Sequence, residues 1–257
     1  MPVDRGRTAS DAIEGNWRRT FKILAEHAPD GHHAEHGPIL TAFAGGPMSF
    51  FNQLFVAAPP EASDLDAALD QAREHGLPFM VTAAEHVSTE VAPALAAHGL
   101  ELRPTVTPGM VLDDLEQRLL DGPDADLQIR RITDPPAFET IAALTAEAFE
   151  LPVEAAAIVT PPTMADEPGV HWVLAHDPEG PVACGLLVIT GETAGVYNIA
   201  VTSTARGRGY GAAVTRYLVR AGRDLGCRQA VLQASPMGYR LYAQLGFDHV
   251  VDFRHFT

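Results

Sequence analysis

The chain has 257 residues, enough for one large domain or two of ordinary size, and its 46% apolar content suffices for a buried core. A net charge of −15 argues against general binding to nucleic acid or to anionic membranes. No apolar run approaches the ~18 residues of a spanning helix, and the opening MPVDRGRTASDA has no apolar core of a leader, so a cytoplasmic location is expected.

In the first half, Ser10 is placed to cap a helix carrying Ile13, Trp17, Phe21 and Leu24 on one face, with Pro29 and Gly31 as its stop. His32, His33 and His36 follow beside Glu35. Without a second cluster of ligating residues, a solvated loop is expected there rather than a metal site. Ile39–Ala44 and Met48–Ala58 are expected strands around Gly45-Gly46-Pro47. Asp64–His75 has Leu65, Ala68, Leu69 and Ala72 at helical spacing, closed by Gly76. A buried strand, Leu77–Ala83, a short helix, Val91–His98, and strands at Leu100–Arg103 and Met110–Leu112 complete this half. The aspartate-rich stretch from Leu112 to Asp126, with Gly122-Pro123, is expected as a linker.

The second half opens with a strand, Leu127–Ile132, and a helix begun by Pro135 and Pro136 that carries Phe138, Ile141, Leu144 and Phe149. A proline-broken stretch follows from Leu151 to Gly169. His171–His176 and Val182–Thr190 make a hairpin, and Gly195–Val201 is the next strand. Ala212 is expected to open a helix to Leu225, with Val214, Leu218, Ala221 and Leu225 inward and Arg216, Arg220 and Arg223 outward. Ala230–Ala234, a short helix over Leu241–Leu245 and a last strand, Phe247–Phe256, end the chain. Cys184 and Cys227 provide neither a disulfide framework nor a zinc site and suit a reducing compartment.

The organising stretch is Val196 to Gly211, VYNIAVTSTARGRGYG, a strand, a glycine-rich loop and a helix start. That order holds phosphate, because glycines let the backbone close in and the first helical amides face outward unpaired. A dinucleotide fingerprint would need a third glycine at Ala212, and a Walker loop needs a lysine, whereas the chain's lone lysine is Lys22. A plain glycine-rich turn stays open at this point. Charge agrees with an anion site: from Ala200 onward eight arginines face Asp224, Asp248 and Asp252, a balance of +5 that leaves −20 on residues 1–199.

Arg206, Gly209 and Gly211 spell R-x-x-G-x-G, which resembles the acetyl-CoA pyrophosphate signature of the GNAT N-acetyltransferase superfamily. A second stretch, SPMGYRLYAQLGF, is similar to the family's Asn-x-x-Ala before Leu-Tyr-x-x-x-Gly-Phe, with Ser235 and Gly238 at the Asn and Ala positions and Leu241, Tyr242, Gly246 and Phe247 matching. The resemblance implies an α/β (α+β) GNAT fold, a mixed central sheet flanked by helices, in two halves. Residues 127–257 would be an acetyl-CoA-binding GNAT domain. Residues 1–122 would be a degenerate GNAT-like half without its own cofactor site, since PALAAHGLEL is similar to a GNAT domain's end while R-x-x-G-x-G is missing; an unrelated cap stays open.

The resemblance also implies site residues. Ile199, Ala200 and Val201 would present backbone groups to the acetyl carbonyl and the pantetheine arm. Arg206, Gly207, Arg208, Gly209, Tyr210, Gly211 and Ala212 would hold the pyrophosphate, and Ser235 would add a hydroxyl. Tyr242 would give a proton to the leaving thiolate, its alternative being a packing tyrosine. No carboxylate stands on Gly195–Asn198 for a general base; Glu192 and His171 are nearby in sequence. The implied reaction moves an acetyl group from acetyl-CoA to a small-molecule amine, with no metal, nucleic acid or membrane and with a homodimer left open. A non-catalytic acyl-CoA-binding or assembly module is the alternative.

Overall fold

The computed structural model describes residues 2–117 and 127–257, with side chains from residue 7 onward. Part of the expected linker, and the boundary between residues 122 and 127, lie outside the described residues. The chain divides into two compact units: Met1–Gly109 with Val250–Thr257, and Met110–His249. Both are mixed α/β.

The first unit begins with helix α1, Pro2–His27, which starts well before Ser10; that residue is buried in the helix and does not cap it. Strands β1, His32–His36, β2, Ile39–Phe43, and β3, Asn52–Val56, run antiparallel in turn. The three histidines thus stand on an ordered strand rather than a loop: His32 stacks on His75 with centroids 3.3 Å apart, His33 Nε2 lies 3.1 Å from Glu26, and His36 Nε2 lies 2.9 Å from Gln71 Oε1. Among the described residues no group of three His, Cys, Asp or Glu is placed to hold a metal ion. Ser49–Phe51 is a turn of 3-10 helix, so the second expected strand loses its first residues to it. Asn52 enforces this by hydrogen-bonding Gly45, Gly46, Met48 and Pro78 through its side-chain amide.

Helix α2, Ala62–Glu74, buries Leu65, Ala68, Leu69 and Ala72, the stripe its spacing predicts. Strand β4, Met80–Ala84, pairs parallel with β3, and helix α3, Glu85–Ala97, follows without a gap. The two expected closing strands form one long strand, β5, Leu102–Leu112. The last strand of the chain, β11, Asp248–Phe256, pairs antiparallel with β4 from Phe253↔Ala84 to Phe256↔Val81. Residues Val250–Thr257 accordingly belong to the first unit. Trp17 of α1 anchors that packing, with Phe55 and Phe253 edge-on at 5.2 and 5.1 Å.

In the second unit the sheet order is β10-β9-β8-β7-β6. It comprises β6, Gln128–Ile132, β7, Val170–Asp177, β8, Gly180–Thr190, β9, Thr193–Val201, and β10, Gln229–Gln233. Helix α4, Pro135–Phe149, covers one face, where Phe138 meets the buried Trp172 edge-on at 5.8 Å. Short helical turns at Val153–Ile158 (α5) and Pro162–Asp166 fill the proline-broken stretch. Helix α6, Tyr210–Asp224, covers the other face, with Val214, Leu218 and Val219 packed on Val173, Ala183, Leu187, Ala194 and Val196. Arg216 is buried rather than outward, and Leu225 is exposed rather than packed. Helix α7, Tyr239–Gln244, closes the unit.

Candidate active site

Strand β9 runs beside β10 for three residues only, Thr193↔Gln229, Ala194↔Ala230 and Gly195↔Val231. Beyond Gly195 the ladder with β10 stops while β9 continues to Val201. The strands part, and the edge of β9 that carries Ile199, Ala200 and Val201 is left without β10. On its other edge β9 stays paired with β8, but with a bulge: Cys184 faces Ala200 and Leu186 faces Tyr197, so Gly185 alone opposes Asn198 and Ile199. Asn198 takes the left-handed conformation, φ 48°, that the extra residue requires.

The chain leaves β9 through a 3-10 turn, Ser203–Ala205, and enters α6 across Arg206–Gly209. Gly207 and Gly209 have φ of 77° and 82°, which a side chain would strain. Because Gly209 turns left-handed, the helix starts at Tyr210, two residues earlier than expected. The first bond of its ladder runs from Ala213 N–H to the Gly209 carbonyl at 3.0 Å. The amides of Tyr210, Gly211 and Ala212 therefore have no acceptor within the helix, and no side chain caps it. Three such N–H groups at the positive end of a 15-residue helix form a cradle of donors suited to an anion such as phosphate.

Close packing brings the cradle to the parted strand. A Cβ placed on Gly211 would lie 3.4 Å from Leu241 and within 3.8 Å of Val201 and Ile199. The first turn of α6 thus touches both the end of β9 and α7. Tyr242, on α7, is half-buried and lies edge-on to Phe247 at 6.0 Å. Burial pushes its phenol up to about 12, so it keeps its proton near neutrality. Gly238 makes room for that ring, since a Cβ there would fall 2.8 Å from Tyr242 Cε2. Ser235 is exposed, and its hydroxyl oxygen accepts the Gly238 N–H at 3.1 Å.

The arginines are less free than their spacing suggests. Arg206 donates to the Ala148 carbonyl near the end of α4 at 3.1 Å. Arg208 lies 3.8 Å from Asp177, whose side chain is 4% exposed. Tyr210, buried against Val182 and Ala205, donates its hydroxyl to the same carboxylate at 3.4 Å. Asp177 also accepts the N–H groups of Glu179 and Gly180, so one carboxylate ties the β7–β8 turn to the loop. Glu147 of α4, which accepts the Ser203 N–H at 2.7 Å, and Asp177 are supports that sequence reasoning missed. Their partners lie 56 and roughly 30 residues away along the chain, and only the Asp-Pro-Glu-Gly turn signal marked Asp177. Glu192 sits on the turn before β9, seven residues from Ile199 and so roughly 23 Å along the strand. His171 stands on β7 opposite Leu187 of β8, two strands from β9; burial and then Arg131 hold its imidazole below its usual range.

The model of the acetyltransferase (GNAT) family matches residues 134–247, which span α4 through α7 and the turn after it and contain the parted strands and the glycine loop. The match makes residues 134–247 a GNAT-type domain by similarity, over somewhat less than half of the chain. A curated relative, "Probable glucosamine 6-phosphate N-acetyltransferase 2" of Oryza sativa subsp. japonica, is 34% identical over 89 residues, covering 30% of this chain and 54% of that protein. The chain thus spans about half the length of the curated relative it matches. A GCN5-related N-acetyltransferase from Kribbella flavida has a similar fold at TM-score 0.69 and 17% identity, over 98% of this chain and 94% of that one. A tandem GNAT protein from the clavulanic acid biosynthesis pathway is similar at TM-score 0.56 and 15% identity, over 96% and 94%. The likeness extends over both units, so the first half also resembles a GNAT fold.

The GNAT-like first unit repeats the order of strand, helix, strand, helix without repeating the site. Here β3 pairs with β4 as far as its last residue, Val56↔Ala83, and no parted edge is left. The loop before α2 contains Pro59 and Pro60, which lack N–H groups, and Glu61 stands at the helix's N-cap. A buried polar chain occupies the strands instead: Thr82 donates to Gln53 at 2.7 Å, and His255 bridges Thr82 at 2.9 Å and Thr107 at 2.7 Å.

Proposed function

We propose that the GNAT domain of the second unit is an N-acetyltransferase that moves an acetyl group from acetyl-CoA to the amine of a small molecule. The observation that carries this is the parting of β9 from β10 beside an uncapped helix mouth. The amides of Tyr210, Gly211 and Ala212, with those of Gly207 to Gly209, suit a pyrophosphate, and Arg208 adds charge at the rim. Acetyl-CoA, when bound, supplies the activated thioester. The parted edge at Ile199, Ala200 and Val201 presents backbone groups to it, and a peptide N–H aimed at the carbonyl oxygen stabilises the charge that develops there. Tyr242, protonated near neutrality, can give its proton to departing sulfur.

Neither Glu192 nor His171 is brought to the parted edge, so the acceptor would arrive as the neutral amine or lose its proton to water. That placement favours one alternative, an acyl-CoA-binding module without catalysis. Within the first unit, the closed β3–β4 pair, the prolines and Glu61 support a degenerate half that holds no acyl-CoA. The division into an N-terminal degenerate half and a C-terminal GNAT domain is part of the same proposal, with Val250–Thr257 grouped with the first unit. Thiol release from acetyl-CoA should be measured with a panel of amines that includes glucosamine 6-phosphate, since the rice relative carries that name. Turnover with one class of amine supports the enzyme. Tight binding with no turnover across the panel supports the module.

A further inference from the structure

The bulge in β9 is held by a buried cluster that the reaction above does not use. Asn198 donates its side-chain amide to Thr145 Oγ1 of α4 at 2.9 Å, and the same nitrogen lies 3.8 Å from Cys184 Sγ. Thr145 Oγ1 and Cys184 Sγ are 3.9 Å apart, and the Cys184 thiol donates to the Asn198 carbonyl at 4.0 Å. Thr145 is 1% exposed and Cys184 is 0% exposed. Burial raises that thiol to about 12, so it remains an S–H donor and not a nucleophile.

The geometry of one peptide unit turns this cluster into a statement about the site. No peptide bond here is cis, so the carbonyl of Asn198 and the N–H of Ile199 point in opposite directions. The carbonyl faces Cys184, a residue of β8. The N–H therefore points away from β8, toward the edge where β10 has parted. A left-handed non-glycine residue is conformationally costly unless its surroundings hold it. Here the Thr145 tie holds it from the side chain, and the Cys184 thiol holds it from the backbone.

We propose that Asn198 is a positioning residue, clamped by Thr145 and Cys184, that fixes the direction of the Ile199 N–H toward the thioester carbonyl. This rests on the acetyl-CoA reading above. It adds that α4, through Thr145, sets the aim of a backbone donor on β9. The clamp acts on the reacting carbonyl and not on the pyrophosphate, so it should govern kcat and leave cofactor affinity largely intact.

The test binds acetyl-CoA labelled with carbon-13 at its carbonyl to the full chain and records the isotope-edited infrared band of the thioester. The wild-type band is expected at lower frequency than that of free acetyl-CoA. In Asn198→Ala and in Thr145→Val it should move back toward the free position, whereas Thr145→Ser, which keeps the hydroxyl, should retain the wild-type band. With a turned-over amine, Asn198→Ala should lose about 10- to 100-fold in kcat, because a misaimed donor forfeits most of an oxyanion contact. Its KM for acetyl-CoA should stay within about 3-fold, since the phosphate cradle is untouched. Asn198→Gly, which accepts the left-handed torsion without strain but lacks the tie, guards against misfolding and should also lose the shift. A wild-type band at the free position, or an unaltered band in cofactor-loaded Asn198→Ala and Asn198→Gly, overturns the clamp while leaving the acetyl-CoA reading standing. No binding of acetyl-CoA to the wild type overturns both.

Discussion

Glu147 accepts both the peptide N–H and the hydroxyl of Ser203 at 2.7 Å, and so ties α4 to the entrance of the glycine loop. Those two bonds hold its carboxyl below the usual range. Beside it, Arg206 donates to the Ala148 carbonyl, so two links join the same helix to the same loop. The loop is shaped before any anion arrives, which lowers the ordering cost of binding one.

Cutting the first link should therefore weaken binding more than folding. Glu147→Ala is expected to raise the Kd for acetyl-CoA several-fold in calorimetry while the melting temperature changes little, because the carboxylate is solvent-exposed. The carboxyl is depressed in the folded protein, so its support is present above pH 4.5 and lost as pH falls below it. Wild-type affinity in Glu147→Ala would show that the loop holds its shape without α4.

Gly209 supplies the left-handed turn that starts α6 at Tyr210. Gly209→Ala should cost about 1–2 kcal/mol of stability from the strained torsion. Gly209→Glu should also place an anion at the helix mouth and abolish detectable binding of acetyl-CoA. Retained affinity in Gly209→Glu would move the pyrophosphate site elsewhere.

Tyr242→Phe should bind acetyl-CoA as the wild type does and lower kcat by roughly 10²- to 10⁴-fold, the range of a lost general acid. Burial pushes the phenol up to about 12, so it stays protonated as pH rises from 7 to 10. An alkaline loss of kcat in that interval, kept in Tyr242→Phe, would belong to another group.

The first unit predicts its own acid limb. Burial, then Arg103, lowers His255 to about 4, while burial and His75 lower His32 to about 4. Both imidazoles are neutral in the folded protein and charge more readily when unfolded. Stability should be complete above pH 6.5 and fall as pH drops from there toward 4. A melting series against pH should show this, with a shallower fall in His255→Gln. An unchanged slope would remove His255 from the account.

The longer helices of the second unit were legible because they present a periodic apolar face, as α6 does with Val214 and Leu218. The start of α6 was not, since it depends on the torsion at Gly209 and not on side-chain pattern. The inward turn of Arg216 likewise defied its expected place on a polar face. In the first unit the histidine strand was missed because its ordering comes from His75, Glu26 and Gln71, all distant or across an element. The pairing of β11 with β4 joins residues some 170 positions apart, which no local pattern records. The glycine loop stood out by its spacing and Tyr242 by the resemblance of its stretch to the GNAT motif, whereas Asp177, Glu147 and Thr145 make contacts across the fold.

Isothermal titration of acetyl-CoA into the full chain, beside Gly209→Glu, tests the central claim most directly. One molecule should bind per chain, and the heat should vanish in the variant. Two molecules per chain, no heat with the wild type, or equal heat in both proteins would contradict it.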